Sequence, residues 1–206
     1  MDRKGILIVI SGFSGAGKGT LVKGLMSRYT NYAFSISATT RKPRAGEENG
    51  VEYFFKTREE FMNMIDNNKL IEYAQYVGNF YGTPKEYVDS QLDSGKDVIL
   101  EIEIQGALKV KEKFPDTLLL FVTPPNATVL KQRLVGRGTE DFETIQCRLR
   151  RATQEAEGIE QYDYLIVNDD LDECIVHTHN IIQGEHSRAS RNISKIEQIR
   201  EELKSF

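Results

Sequence analysis

Three things the chain has little of narrow its reading before any motif does. It has no basic excess: 27 Lys and Arg stand against 31 Asp and Glu, for a formal charge of −4 and a pI near 5.5. A general polynucleotide binder carries a basic face, so no nucleic-acid partner is expected. No apolar run approaches the length of a membrane span, so no membrane partner is expected either. Cysteine is scarce. Cys147 and Cys174 fall in helical patterns without metal-ligand spacing and read as thiols of a reducing compartment. No secretory signal precedes the chain, and the expected location is cytoplasmic. The three histidines, His177, His179 and His186, come late, with no motif around them, and read as surface or helix residues. There is no low-complexity run and no internal repeat. With 28% charged and 39% hydrophobic residues in 206, the chain suits one globular α/β domain, or one with a small insertion.

The most informative stretch is Gly12-Phe13-Ser14-Gly15-Ala16-Gly17-Lys18-Gly19-Thr20. Before it, Ile6 to Ile10 is a short apolar run of the kind that forms a buried parallel strand. After it, Leu21, Val22, Leu25 and Met26 have helical spacing. The glycines therefore sit in a strand-to-helix turn, where backbone N–H groups and the helix start attract phosphate oxygens and Lys18 adds a point charge. The position after the lysine usually carries a Mg²⁺-binding hydroxyl; here it is Gly19, and the hydroxyl is on Thr20.

Downstream, Phe34 to Gly50 begins as a strand and becomes a polar loop bearing Arg41, Lys42 and Arg44. Val51 to Phe55 is predicted as a strand. Thr57 with Glu60 makes a capping box for a helix whose apolar face is Phe61, Met64 and Ile65. Leu70 to Val77 is a strand, and Pro84 is expected at the first helical position of a helix through Leu92. Residues 34–83 thus form a strand-rich, locally connected lobe inserted in a parallel core. That core resumes with strands at 97–103, 118–122 and 164–167. Asn126 caps one helix, and Asp170 or Asp172 caps another that runs to about Gly184. The charged tail, 185–206, is expected to be helical.

Two constellations carry chemistry. Glu101 and Glu103, two apart on a predicted strand, face one side near the ligand crevice of a parallel sheet. They suit coordination of Mg²⁺ through water and binding of an acceptor. Basic residues fall in two sets, Arg41 with Arg44, and Arg133, Arg137 and Arg148. Moving a phosphoryl group between two phosphorylated molecules needs positive charge on both sides and exclusion of water.

With these motifs, the chain resembles the guanylate kinases of bacteria and eukaryotes from Gly5 to about Ile182. The resemblance rests on the phosphate loop, Ser37 to Arg44 with Gly46-Glu47 and Gly50, Tyr53, Glu72-Tyr73-Ala74, Gly78 to Thr83, Gln105-Gly106, Arg137 to Glu140 and Val167-Asn168-Asp169. It implies a parallel-sheet P-loop NTPase core with helices on both faces (1–33, 84–125 and 155–184), an inserted mixed α/β GMP-binding lobe (34–83) and a helical lid (about 126–154). By similarity, ATP would be bound by Gly12, Phe13, Ser14, Gly15, Ala16, Gly17, Lys18, Gly19, Thr20, Arg133 and Asn168. Arg41, Arg44, Tyr53 and Tyr81 would hold the GMP phosphate. Ser37, Glu72 and Thr83 would read guanine, and Glu103 would complete the GMP site. Lys18, Arg44, Arg137 and Arg148 would be catalytic, and Glu101 would meet Mg²⁺ through water. The implied reaction is ATP + GMP = ADP + GDP, with no choice made between monomer and homo-oligomer.

Phe13 stands where proline is usual, Gly19 where serine is usual, and Glu101 and Glu103 where aspartates are common. Two other readings compete, a nucleoside monophosphate kinase of the adenylate type and a protein-binding module built on the same fold. Tyr53, Glu72 and Tyr81 argue against the first. Lys18, Arg137 and Arg148, all intact, argue against the second.

Overall fold

The computed structural model describes residues 4–76, 78–136 and 142–206. Its elements begin with β1 (Leu7–Gly12), α1 (Lys18–Arg28), β2 (Tyr32–Phe34), β3 (Ala38–Thr39), β4 (Phe54–Phe55), α2 (Arg58–Asp66), β5 (Leu70–Tyr76), β6 (Asn79–Pro84) and α3 (Lys85–Asp93). They continue with β7 (Asp97–Glu101), α4 (Ile104–Lys113), β8 (Leu118–Thr123), α5 (Ala127–Gly136), α6 (Phe142–Ala156), β9 (Tyr164–Val167), α7 (Leu171–His186) and α8 (Ile193–Leu203).

Five strands form a sheet in the order β2-β7-β1-β8-β9, parallel throughout. The alternation of β1 explains why the chain is apolar at every position from Ile6 to Ile10. Ile6, Ile8 and Ile10 meet Leu21 and Leu25 of α1 and Ile175 and Ile182 of α7. Leu7 and Val9 meet Val88 and Leu92 of α3 and Ala107 and Val110 of α4 on the other face. A parallel sheet covered on both faces needs such a run, and each fully buried aliphatic side chain stabilises the fold by about 1.5–3 kcal/mol. Gly24 lets α1 approach α7: a Cβ there would lie 2.2 Å from Ile175 Cδ1.

A second, four-stranded sheet has the order β4-β3-β6-β5 and its own small core, in which Phe61 of α2 stacks on Phe80 at 5.5 Å. The capping box is formed: Glu60 N donates to Thr57 Oγ1 and Thr57 N to Glu60 Oε2.

Three local expectations change. The strand predicted over Val51 to Phe55 is only Phe54–Phe55, because Val51 N turns back to Glu48 O and Gly50 N to Tyr53 O. Pro84 sits at the N-cap of α3 rather than inside it, since its extended backbone still pairs with Leu70 in β6. β7 ends at Glu101, and Glu103 is the N-cap of α4. The alternation that was to place both acids on one side of a strand therefore stops between them. The three histidines all lie in α7, and two of them pack inward. His179 stacks on Tyr29 with centroids 3.6 Å apart, and His186 Nε2 lies 2.8 Å from the fully buried Asp97 Oδ1. Asp170, not Asp172, caps α7, accepting from Glu173 N.

Candidate functional site

The loop between β1 and α1 is built for anions. α1 starts at Lys18 after Gly17, whose left-handed backbone (φ 93, ψ 18) offers no side-chain cap. The orphan N–H groups of the first turn are left for a ligand. Glycine is required at Gly17 on two grounds, its positive φ and the 2.4 Å that would separate a Cβ from Asn168 Nδ2. The loop, with Lys18, Gly19, Thr20, Lys23 and Glu101, lines a cavity of about 420 Å³. Lys18 Nζ bends over the loop and donates to Gly12 O at 2.7 Å and Phe13 O at 3.2 Å. Phe13 packs edge-on against Phe121, with centroids 5.0 Å apart, and also against the α5–α6 cluster of Leu130, Leu134, Ile145 and Ala152. An aromatic residue here ties the loop to the core on one side and to the helical pair on the other.

Three other elements converge on the loop. Arg148 of α6 donates to Ser14 Oγ at 2.7 Å. Arg133 of α5 donates to Asn168 O at 2.9 Å and Ala16 O at 3.4 Å. Asn168, after β9, is buried, and its amide donates to Ala16 O at 2.8 Å. Glu101, at the end of β7, has Oε2 3.7 Å from where a Cβ on Gly19 would be. Burial pushes its carboxyl up, and the Lys18 ammonium draws it back. Arg137 lies outside the described residues.

The second sheet gathers the other predicted residues. Thr83 donates its hydroxyl to Glu72 Oε1 at 2.8 Å, and burial raises the Glu72 carboxyl despite that bond and the positive field of Lys113 and Lys109. Ser37 joins the edge of the sheet, its carbonyl accepting from Phe54 N. The Tyr53 and Tyr81 rings stand 6.0 Å apart. Arg41 lies 5.3 Å over Tyr53 and forms a two-pronged pair with Glu47, at 2.8 and 2.9 Å. Arg44 enters the same loop through its backbone N, which donates to Glu47 Oε2 at 2.7 Å.

Glu103 joins neither group directly. It pairs with Arg151 of α6 at 2.6 Å, and Arg151 in turn holds Glu155 at 3.2 Å. Sequence reasoning assigned no role to Glu47 or to Arg151. The spacing of four between Arg151 and Glu155 was a visible signal for that pair. The Arg151–Glu103 contact had none.

This arrangement, an anion-binding loop facing arginines from a helical pair beside a polar second sheet, can hold two phosphorylated molecules. The family model for guanylate kinase matches residues 4–185. The chain belongs to the guanylate kinase family. It is 50% identical to a guanylate kinase of Halalkalibacterium halodurans, over 95% of this chain and 96% of that protein. It is 48% identical to that of Enterococcus faecalis, over 98% of this chain and all of the other. The crystal structure of guanylate kinase from Anaplasma phagocytophilum superposes with a TM-score of 0.72 at 32% identity, covering 95% of this chain and 94% of that one. Among the described residues no helix is long and apolar enough to cross a membrane.

Proposed function

We propose that the protein transfers the γ-phosphoryl group of ATP to GMP, yielding ADP and GDP. The observation that carries the choice of acceptor is the Glu72–Thr83 pair. Guanine presents N1–H and N2–H₂ as donors and O6 as an acceptor. The Glu72 carboxylate suits the two donors, and its Oε2 makes no hydrogen bond among the described residues. The Ser37 hydroxyl suits O6, and Thr83, whose one proton goes to Glu72 here, can donate to O6 only by turning away from that carboxylate. Adenine has a donor in place of O6 and no 2-amino group, so it leaves this set mismatched.

The division of labour follows three parts: the parallel core, the lobe of residues 34–83 and the lid of about 126–154. Their support is that the second sheet and the α5–α6 pair each have a separate apolar cluster. The loop from Gly12 to Thr20 takes the ATP phosphates, and Arg133 and Asn168 border the donor side. Arg41, Arg44, Tyr53 and Tyr81 take the GMP phosphate, with Glu103 at the edge of that site. An oxygen of that phosphate attacks the γ-phosphorus in line as the bond to the β-bridging oxygen breaks. The chemistry requires positioning and charge rather than a base. Lys18, Arg148, Arg137 and Arg44 supply that charge, and closure of the lid keeps water from accepting the phosphoryl group.

The residues at the loop fit a Mg²⁺ ion arriving with ATP. Glu101 and Thr20 both border the cavity, and a carboxylate with a hydroxyl and phosphate oxygens is a donor set this hard cation takes, commonly through water. There the ion would supply positive charge to offset that of the phosphates. The test is ATP consumption with each nucleoside monophosphate in turn. GMP is expected to give the fastest turnover by orders of magnitude, and a comparable rate with AMP would overturn the guanine assignment.

A further inference from the structure

The Arg41–Glu47 pair is more than a surface ion pair. Both side chains are largely enclosed, at 16% and 17% exposed, and the contact is two-pronged. Glu47 also closes the loop onto itself: its Oε2 accepts from Arg44 N, and its own N donates to Arg44 O at 3.1 Å. One carboxylate therefore holds the guanidinium of one arginine and the backbone of the other.

The consequence for Arg41 is arithmetic in N–H groups. A guanidinium has five. Two go to Glu47 and one to Lys42 O, which leaves Nε–H and the second Nη2–H on one edge. Its face is covered by Tyr53 and Phe55, with its central carbon 5.3 and 5.8 Å from the two ring centres. While Glu47 is engaged, Arg41 can offer a phosphate only that one edge, in a direction already fixed. Arg44 differs. Its side chain has no hydrogen bond among the described residues, and the loop that carries it is held at both ends by Glu47.

We infer that Glu47 is the positioning residue of the acceptor-phosphate site: it fixes Arg41 beside Tyr53 and Tyr81 with one edge open to the phosphate, and it holds the backbone that presents Arg44. This rests on the reading of GMP as acceptor. Arg41 then contributes a prearranged edge, while Arg44 contributes a guanidinium with no side-chain hydrogen bond among the described residues. Preorganising these groups before binding avoids ordering a long cation at the moment of capture. It also limits the net charge at the site, so the GDP product is not held by two bare guanidinium groups.

Glu47→Gln keeps the shape and removes one acceptor oxygen together with the charge. Steady-state kinetics with GMP varied at saturating ATP, and the converse, read the effect. The expected result is a KM for GMP raised on the order of 10-fold or more, with the KM for ATP and the melting temperature close to wild type, and partial recovery in Glu47→Asp. In an Arg41→Met background, Glu47→Gln should cost less than it does alone, because part of its action runs through Arg41. Full additivity of the two losses overturns the inference. So does tighter GMP binding in Glu47→Gln, which would mean that Glu47 acts only by lowering the charge. Arg44→Met separates this inference from the reading beneath it. If Arg44→Met leaves the KM for GMP unchanged, the phosphate is not held at this loop. If it raises that KM while Glu47→Gln does not, only the role of Glu47 fails.

Discussion

Arg151 on α6 reaches Glu103 at the start of α4, 2.6 Å away, while its Nε holds Glu155 one turn along its own helix. The two carboxylates differ in burial. Glu103 is 70% exposed, whereas Glu155 is 18% exposed and its second oxygen, Oε2, has no hydrogen-bond partner among the described residues. Arg151 thus ties the helical pair to the core and compensates a carboxylate that has little access to water.

The two ends of this pair should not be equivalent on mutation. Glu103→Ala removes an exposed ion pair worth about 0–1 kcal/mol. Arg151→Ala removes the same pair and also strands Glu155, which costs about 1–3 kcal/mol more for an uncompensated buried polar group. Urea denaturation of the two variants at neutral pH checks this. Equal losses would mean that Glu155 does not depend on Arg151.

Lys18→Ala should leave a folded protein without phosphotransfer. Its ammonium donates to the loop carbonyls of Gly12 and Phe13, and water can replace it there at a cost of about 0.5–1.5 kcal/mol. Loss of a cation aimed at developing charge costs about 10²–10³ in kcat or more. Turnover with GMP and a melting curve, measured together, decide it. Near-normal turnover with a normal melt would remove the loop from the mechanism.

Glu72→Gln converts one acceptor oxygen to a donor facing guanine's own donors. The GMP-to-AMP ratio of kcat/KM should fall, and an unchanged ratio would mean that Glu72 does not read the base. A site built on polar partners discriminates by about 10⁴–10⁵, so the change is measurable. Burial also raises the Glu72 pKa from 4.5, and the ionised form is the acceptor. The wild-type KM for GMP should therefore climb as pH is lowered, beginning above the ordinary carboxylate range, and this acid limb should flatten in Glu72→Gln.

His179 should make stability pH-dependent in the opposite half of the acid range. Its ring stacks on Tyr29, and Nδ1 lies 2.7 Å from the hydroxyl of Tyr32, itself pushed up to about 12 by burial. Burial lowers the His179 pKa below 6.5, partly offset by the nearby Asp97. Around pH 6.5 the unfolded chain then takes up the proton before the folded one does. The contribution is complete above about pH 6.5 and is lost as pH falls through the lowered folded value. Urea midpoints from about pH 8 to 5 should decline in the wild type and decline less in His179→Gln. Parallel profiles would rule out His179 as the titrating group.

Much of the fold was legible in the linear order of residues. Ile6 to Ile10, Leu118 to Val122 and Tyr164 to Val167 read as short strands, although only Ile166 of the last is buried, and Gly17-Lys18 between a strand and a helical repeat read as a phosphate-binding turn. The capping residues Thr57 and Asp170 announced helix starts because their hydrogen bonds are local. Failures came where a neighbour in space overrode local pattern. Glu103 left its predicted strand for a helix cap, and Pro84 stayed in a strand because Leu70 pairs with it.

By itself, the sequence determined the glycine-rich loop between β1 and α1 and the doubly covered sheet, because each depends on spacing within a few residues. Tertiary structure alone decided which charges meet. Arg148 with Ser14, Arg133 with Ala16, Arg151 with Glu103 and His186 with Asp97 join residues up to 134 positions apart. Such pairs leave no periodic trace in the chain. Their geometry comes from the packing of helices on the sheet, which fixes backbones first and leaves polar side chains to find the partners within reach.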